Sequence, residues 1–159
     1  MSFLDCLAVE RTKIGVNATS KKRVFELLSD LLATRCTCSS EQQILESLFA
    51  RERIGCTGIG LGIAIPHGRI AECDETVCAV IMTEQPIDYQ SPDNQPVDIF
   101  FAMLVPEDAH NQHLRCLSTA ASMLKEESFC RQLRNAYSDQ ALFDIISAAA
   151  SKLEAETSV

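Results

Sequence analysis

The chain has 159 residues and a formal net charge of −8, with 47% hydrophobic and 23% charged residues. This composition is typical of one folded globular domain with a hydrophobic core, and the negative charge argues against sequence-independent nucleic-acid binding, which requires Lys and Arg to neutralise phosphates. No apolar stretch approaches the roughly 20 residues that span a bilayer, and the first residues lack the features of a signal peptide, so we expect a cytoplasmic protein without membrane insertion.

Eight cysteines are many for a chain of this length. There is no Cys-x-x-Cys motif, and a short spacing such as Cys36-x-Cys38 matches no standard zinc ligand set, even together with His110 and His113. We therefore predict reduced and mostly buried thiols that pack as small hydrophobic side chains. A metal or redox role for these thiols is the alternative.

The first half of the chain is predicted to contain two helices. Apolar residues at helical spacing predict a helix over 21–35, with Ser20 as its N-cap. The segment 39–43, Ser-Ser-Glu-Gln-Gln, resembles a capping box and is followed by apolar residues on one helical face. This second helix is expected to end near 51–53, before Gly55.

Three strand candidates follow the helices. The segment 58–65 is apolar but contains three glycines, whereas 76–83 is apolar throughout its interior. The segment 97–105 is almost continuously apolar, which predicts a strand that is buried on both faces. The stretch 85–96 is rich in Pro, Asp, Asn and Gln, which indicates a loop or an irregular edge.

The last third of the chain is predicted to be helical. One apolar stripe runs along 113–124, and 128–136 is predicted to form a short helix. Ser138 or Asp139 can cap a last helix, and the polar residues 151–159 are expected to fray.

Helices therefore come before and after an apolar sheet. This order predicts an α/β or α+β sandwich with helices on both faces of the sheet. We expect one domain over residues 1–150, followed by a polar C-terminal tail over 151–159.

The segment 58–68, Gly-Ile-Gly-Leu-Gly-Ile-Ala-Ile-Pro-His-Gly, carries the main chemical signal. Pro66 cannot continue a ladder of hydrogen bonds, so we expect the strand to stop there and to present His67 at its end. Gly68 lets another backbone approach the ring. An imidazole presented in this way suits attack on a phosphorus or acyl centre, or proton transfer.

The glycines of this segment do not predict a nucleotide site. A dinucleotide fingerprint requires G-x-G-x-x-G at a strand-to-helix turn, whereas these glycines lie before or inside a strand that ends in proline, and there is no Walker lysine. They are better explained by a bend or a close backbone contact within the sheet.

The segment 57–68 resembles the active-site signature of phosphotransferase-system (PTS) IIA domains of the fructose/mannitol superfamily. The resemblance is closest to the nitrogen-related branch, IIA-Ntr. Three further blocks also resemble the family: 51–55, 93–98 with 104–106, and 113–118. Together they cover nearly the whole chain, and they imply the family fold, an α/β fold with a mixed β-sheet sandwiched between helices.

The resemblance also implies the roles of three residues. His67 matches the histidine that accepts a phosphoryl group from a histidine-phosphorylated carrier of the HPr type, such as NPr. His113 matches the second active-site histidine and would donate a hydrogen bond to the phosphoryl oxygens. Arg51 matches the active-site arginine, which stabilises charge or contacts the carrier. No cofactor or metal is expected, because the donor is already a phosphohistidine.

The implied function is that of a regulatory phosphocarrier, a phosphotransferase that is itself phosphorylated. Its targets would lie in nitrogen and carbon metabolism and in potassium homeostasis, such as potassium transport or sensor-kinase components. A sugar-specific IIA component that passes the phosphate to a IIB domain is the alternative, and a pure interaction module with an inactive His67 is a third possibility.

Leu61 departs from the family, which commonly has a polar residue at this position, Asn in the nitrogen-related branch.

Overall fold

The computed structural model describes residues 3–71, 73–107 and 110–157, with side chains described except at 110–114 and 157. In these ranges, no helix is both long and apolar enough to cross a bilayer. After two short 3₁₀ turns, Phe3–Cys6 and Val9–Arg11, the elements are β1 (Thr12–Val16), α1 (Lys21–Ala33), α2 (Glu41–Ile54), β2 (Gly58–Gly60), β3 (Ile63–Ala64), β4 (His67–Ile70), β5 (Val77–Ile87), β6 (Val97–Pro106), α3 (His110–Leu124), α4 (Glu127–Arg134) and α5 (Asp139–Thr157).

The six strands form one mixed sheet in the order β1-β5-β6-β3-β2, and β4 also pairs with β6. The β1–β5, β3–β6 and β4–β6 pairs are parallel, whereas β5–β6 and β2–β3 are antiparallel. The mixed sheet that the family resemblance implied is therefore confirmed.

Helices cover both faces of the sheet. Along β6, Phe100 and Leu104 pack in the core with α1 and α2, whereas Phe101 and Met103 pack in the core with α3, α4 and α5. Side chains alternate across a strand, so a central strand between two helical layers must be apolar at nearly every position. This explains the continuous apolar run of β6 and confirms the predicted sandwich.

Both predicted helix starts are confirmed by their caps. Ser20 accepts a hydrogen bond at its Oγ from the Arg23 amide, 3.1 Å away. Ser40 accepts at Oγ from the Gln43 amide (3.1 Å), and the Gln43 side-chain oxygen accepts from the Ser40 amide (2.8 Å). Each cap satisfies amides that have no partner inside the helix.

Six of the eight cysteines are buried, as predicted for thiols that act as small hydrophobic side chains. Cys38 is exposed and Cys56 is half-buried. The buried thiols are distributed over both cores of the sandwich.

Outside the segment 58–70, three elements differ from the sequence prediction. The short strand β1 was not predicted, because its Thr-Lys-Ile-Gly-Val sequence has no clear alternation. Strand β5 continues through Ile87, into the predicted loop. Helix α5 continues through Thr157, where fraying was expected. Glu154 on its last turns accepts a hydrogen bond from the Phe3 amide at 2.6 Å, which anchors this end of the helix to the N-terminal turn.

The segment 58–65 is a hairpin and not the single strand that its apolar sequence predicts. Strands β2 and β3 are antiparallel and are joined by a turn at Leu61 and Gly62. The backbone has positive φ at Gly60 (93°), Leu61 (59°) and Gly62 (83°). Two glycines make this tight reversal possible, because a residue without Cβ enters the left-handed region at little cost.

The prediction that the strand ends at His67 was also wrong. The strand is only interrupted at Ile65 and Pro66, and His67 begins β4. Strands β3 and β4 pair with β6 in one continuous register, with His67 opposite Met103. The Pro66 carbonyl accepts a hydrogen bond from the Met103 amide at 2.9 Å, so the missing N–H of proline breaks the ladder on one side only.

Candidate functional site

His67 lies half-buried between the end of α2 and the middle of α3. It borders two cavities. One, of about 380 Å³, is lined from α2 and β4 by residues that include Ser47, Arg51 and Arg69. The other, of about 220 Å³, lies towards Leu117 on α3. His67 and Arg51 line both cavities, so the structure brings these two predicted site residues together.

A hydrogen bond at Nδ1 favours one tautomer of the His67 ring. Nδ1 lies 2.8 Å from the carbonyl oxygen of Ile65. A carbonyl can only accept, so Nδ1 carries a proton, and in a neutral ring Nε2 then carries the lone pair. Burial lowers the pKa of His67; the Ile65 carbonyl opposes this effect, and the positive charge of Arg51 adds to it. The ring is therefore neutral near pH 7, as a nucleophile requires.

Arg51 is held at the C-terminal end of α2. Its Nη1 donates to the carbonyl oxygen of Gly55 across 2.8 Å. A cation in the last turn also interacts favourably with the helix dipole. The hydrogen bond fixes the guanidinium beside both cavities that border His67.

The position of α2 over the site depends on Gly68. A Cβ at Gly68 would contact the Oγ of Ser47 and lie 3.1 Å from its carbonyl carbon. Gly68 thus lets the backbone of α2 approach β4 closely, which agrees with the predicted role of this glycine. The close packing brings Arg51, one turn after Ser47, towards His67.

His113 lies on α3, in the helix that contributes Leu117 and Ala121 to the smaller cavity. Its side chain lies outside the described residues, as does that of His110. The role of His113 in binding the phosphoryl group therefore stays a prediction.

Sequence reasoning missed Arg69. It lies two residues after His67 on β4, lines the larger cavity, and lowers the pKa of His67 further through its positive charge. Residues i and i+2 of a strand lie on the same face, so the alternation would have identified Arg69 if His67 had been placed at the start of a strand.

A buried network under the site was also missed. The Glu52 side chain is only 6% exposed, and its carboxylate accepts hydrogen bonds from Lys21 Nζ (2.7 Å), the Thr57 amide (3.1 Å) and the Thr57 hydroxyl (2.6 Å). The Thr57 and Tyr89 hydroxyls lie 2.8 Å apart. Burial alone would raise the pKa of Glu52, but these hydrogen bonds outweigh it and lower the pKa, so the carboxylate is ionised.

Large apolar side chains surround the site at the surface. Ile54 (83% exposed) and Ile59 (45%) each line one of the two cavities beside His67. Leu61 (69% exposed) lies on the turn between β2 and β3 and lines neither of these cavities. We call Ile54 and Ile59 the apolar rim. Exposed apolar side chains around a functional group are typical of a surface that docks another protein.

Charged residues hold the backbone of the Leu61 turn. The Leu61 amide donates to Asp93 Oδ2 (2.9 Å), and its carbonyl accepts from Arg134 Nη2 (2.9 Å). Arg134 in turn forms an ion pair with Asp98 at 2.8 Å. These contacts stabilise a positive φ that leucine otherwise adopts rarely. In the described ranges, no group of three or more His, Cys, Asp or Glu side chains is placed to bind a metal ion.

Residues 5–149 match the family described as "Phosphoenolpyruvate-dependent sugar phosphotransferase system, EIIA 2". The nitrogen regulatory protein of Klebsiella oxytoca is 46% identical over 158 residues, which cover 98% of this chain and 96% of that protein. The crystal structure of nitrogen regulatory protein IIA-Ntr from Neisseria meningitidis has a TM-score of 0.85 at 36% identity, covering 89% and 97% of the two chains. IIA mannitol from Escherichia coli (TM-score 0.73, 16% identity, 87% and 97% covered) shares the fold.

Proposed function

Because the chain belongs to the EIIA type 2 family of the phosphotransferase system, as its motifs predicted, we propose that His67 accepts a phosphoryl group from an HPr-like carrier of the NPr type. Proteins of this family are phosphotransferase components. The observation that carries the proposal is the 2.8 Å contact of His67 Nδ1 with the Ile65 carbonyl. It directs a neutral ring to use Nε2 as the nucleophile.

The transfer exchanges one N–P bond for another. The lone pair of His67 Nε2 attacks the phosphorus, and the N–P bond of the carrier phosphohistidine breaks, returning its electron pair to the carrier ring. The His67 ring gains positive charge as its lone pair is used, and the Nδ1–H donates more strongly to the Ile65 carbonyl. No proton has to leave His67 during this step, so the protein's task is positioning and charge stabilisation.

Two arginines are suited to the charge on the phosphoryl oxygens. Arg51 and Arg69 both line the larger cavity beside His67, and guanidinium groups bind phosphate oxygens through two hydrogen bonds. We propose that Arg51 stabilises the transferred group or contacts the carrier, and that His113 donates a hydrogen bond to it. Arg69 adds positive charge in the same cavity.

The regulatory role follows from the position of this charge. A phosphoryl group on His67 adds about −1.5 to −2 of charge beside the apolar rim, and so favours some partners and repels others. The similarity to nitrogen regulatory proteins supports a role in nitrogen regulation. We propose further targets in carbon metabolism and potassium homeostasis, such as potassium transport and sensor-kinase components, because the resemblance of the sequence motifs to the nitrogen-related branch implies them. We further propose a cytoplasmic protein in which residues 1–150 form one EIIA type 2 domain.

Intact-mass spectrometry tests the proposal. Wild type, His67→Ala and His110→Ala are incubated with enzyme I, an HPr-like carrier and phosphoenolpyruvate. Wild type and His110→Ala should each gain one acid-labile phosphate, and His67→Ala should gain none. His110→Ala is the matched control because it removes a histidine that has no counterpart in the family motif.

The absence of phosphate on wild type, with several carriers tried, would contradict the proposal and favour an interaction module. A second reaction with a fructose- or mannitol-type IIB domain separates the regulator from the sugar component. The regulator should transfer little phosphate to IIB, whereas rapid transfer followed by sugar phosphorylation would identify a transport component.

A further inference from the structure

We propose that Glu52 is a positioning residue for His67, and that it acts through Thr57 and Ile65 to hold the ring in the Nδ1–H tautomer. The inference rests on the proposed function, because it concerns the same nucleophile. It goes further by assigning a role in phosphoryl transfer to a buried carboxylate that does not line either cavity of the site.

Three hydrogen bonds connect Glu52 to the His67 ring. The Thr57 amide donates to Glu52 Oε1 (3.1 Å), the Ile65 amide donates to the Thr57 carbonyl (3.0 Å), and His67 Nδ1 donates to the Ile65 carbonyl (2.8 Å). Each link fixes the residue that makes the next one. The position of the acceptor that selects the tautomer thus depends on where Glu52 holds Thr57.

Thr57 is held more firmly than a backbone contact alone would hold it. Glu52 binds both its amide and its hydroxyl, and the hydroxyl also lies 2.8 Å from that of Tyr89. Lys21 holds Glu52 in turn, at 2.7 Å, and its ammonium lies 4.0 Å from the centre of the Tyr89 ring. A carboxylate with these partners has one well-defined position.

The segment after Ile65 makes this anchor necessary. Pro66 has no N–H to donate. Two hydrogen bonds therefore hold the interrupted part of the strand: the Ile65 amide donates to the Thr57 carbonyl, and the Pro66 carbonyl accepts from the Met103 amide. If the link from Ile65 to Thr57 shifts, the carbonyl that accepts from His67 Nδ1 shifts with it. A displacement of this acceptor frees the ring to adopt the other tautomer, in which Nε2 is no longer nucleophilic.

Glu52 also has the charge that the reaction requires. In the part of the chain that the structure describes, the charged groups that act on His67 include Arg51 and Glu52 on α2 and Arg69 on β4. The two arginines suit the phosphoryl oxygens but oppose the positive charge that develops on the ring during attack. The negative charge of Glu52 offsets that opposition, as the carboxylate behind a catalytic histidine does in other enzymes.

The test uses Glu52→Gln, which keeps the shape of the side chain and removes its charge, in the full-length protein. Nitrogen-15 NMR of the unphosphorylated protein reports the His67 tautomer, and a single-turnover reaction with phosphorylated carrier reports the rate. In wild type we expect the Nδ1–H form. In Glu52→Gln we expect a mixture of tautomers and a transfer rate that is lower by about tenfold, by analogy with the smallest losses seen when the partner that orients a metal-bound histidine is removed.

Asp139→Asn is the matched control. Like Glu52, Asp139 accepts a hydrogen bond from a backbone amide distant in the chain, that of Ile14 (2.9 Å), and pairs with a lysine, Lys13 (3.8 Å). Asp139 begins α5, however, and its partners lie on β1. This variant should leave both the tautomer and the rate at wild-type values. Thr57→Val removes the hydroxyl with its contacts to Glu52 and Tyr89 but keeps the backbone links. It should change both the tautomer and the rate in the same direction as Glu52→Gln, and it provides the test if Glu52→Gln does not fold.

The proposal is overturned if Glu52→Gln lowers the unfolding temperature but leaves tautomer and rate unchanged, because Glu52 would then be structural only. It is also overturned if Asp139→Asn changes the tautomer to the same extent. Failure of the proposed function gives a different result: wild type would take no phosphate, while the tautomer of His67 would still respond to Glu52→Gln.

Discussion

The guanidinium of Arg51 donates a 2.8 Å hydrogen bond to the carbonyl oxygen of Gly55. This contact closes the last turn of α2 and holds the arginine beside His67, so that one side chain both ends a helix and lines the two cavities of the site. The two roles can be separated, because the first affects stability and the second affects the rate of phosphoryl transfer.

Replacement of Arg51 by methionine should lower the single-turnover rate of phosphorylation by roughly 10²-fold, the usual loss when one donor to a developing anion is removed. The free energy of unfolding should fall by no more than about 1 kcal/mol, since a helix-end cation contributes only that much. Rapid-quench kinetics with phosphorylated carrier and urea unfolding measure the two effects. A normal rate in a destabilised variant would show that Arg51 only ends the helix.

The pH dependence of phosphorylation should follow the lowered pKa of His67. The rate should be constant above about pH 6.5 and fall only at lower pH, where the folded protein finally binds the proton. Because Arg51 lowers this pKa, Arg51→Met should move the midpoint to higher pH. NMR titration of the ring checks both. A wild-type midpoint at or above 6.5 would contradict the prediction.

The same shift makes the stability of the protein depend on pH. The unfolded chain binds a proton at His67 at a higher pH than the folded protein does. The contribution of His67 to the free energy of unfolding is therefore constant above about pH 6.5. It decreases as the pH falls from there through the pKa of His67 in the folded protein. Urea unfolding between pH 7 and pH 5 should show less of this decrease in His67→Ala than in wild type; equal losses would exclude His67 as a source.

Gly68→Ala should destabilise the protein by about 1–3 kcal/mol, as overpacking does in a rigid core. The added methyl group meets the Ser47 hydroxyl and approaches its carbonyl carbon to 3.1 Å, so α2 must move away from β4. Phosphorylation should slow because Arg51 moves with α2. Gly55→Ala is the control, since no atom lies within 4 Å of its added carbon; equal behaviour of the two variants would contradict this explanation.

Leu61→Asn should stabilise the protein by about 0.5–1 kcal/mol. Leucine is strained at a φ of 59°, which asparagine adopts readily, and little packing is lost because Leu61 is 69% exposed. Urea unfolding measures the gain. Ile59→Asn is the control, an exposed apolar residue that is not among those with positive φ, and it should not stabilise. A gain in both variants would indicate an effect of surface polarity instead of backbone strain.

Local sequence signals predicted the parts of the fold that short segments determine. The caps at Ser20 and Ser40 depend on residues three positions apart, and the burial of β6 on both faces follows from its composition. The hairpin at 58–64 was missed because leucine gives no turn signal. Its positive φ is stabilised by Asp93 and Arg134, which are distant in the chain.

The site was predicted only in part for the same reason. His67 and Arg51 were found through their motifs, and the structure places them on the same two cavities. The network around Glu52 joins residues from α1, α2 and the loop after β5, and no spacing within one segment reveals it. The state of the ring could not be predicted either, because it depends on one backbone carbonyl.

The continuous pairing of β3 and β4 with β6 has a consequence for signalling. His67 starts a strand that is fixed to the centre of the sheet, and helices cover both sides of that sheet. A modification at this position is therefore attached to a strand that the central sheet holds in place. A partner that distinguishes the phosphorylated form must therefore respond to the change in electrostatic potential around His67. An anion bound in the place of the phosphoryl group should be recognised in the same way, without any rearrangement of the backbone.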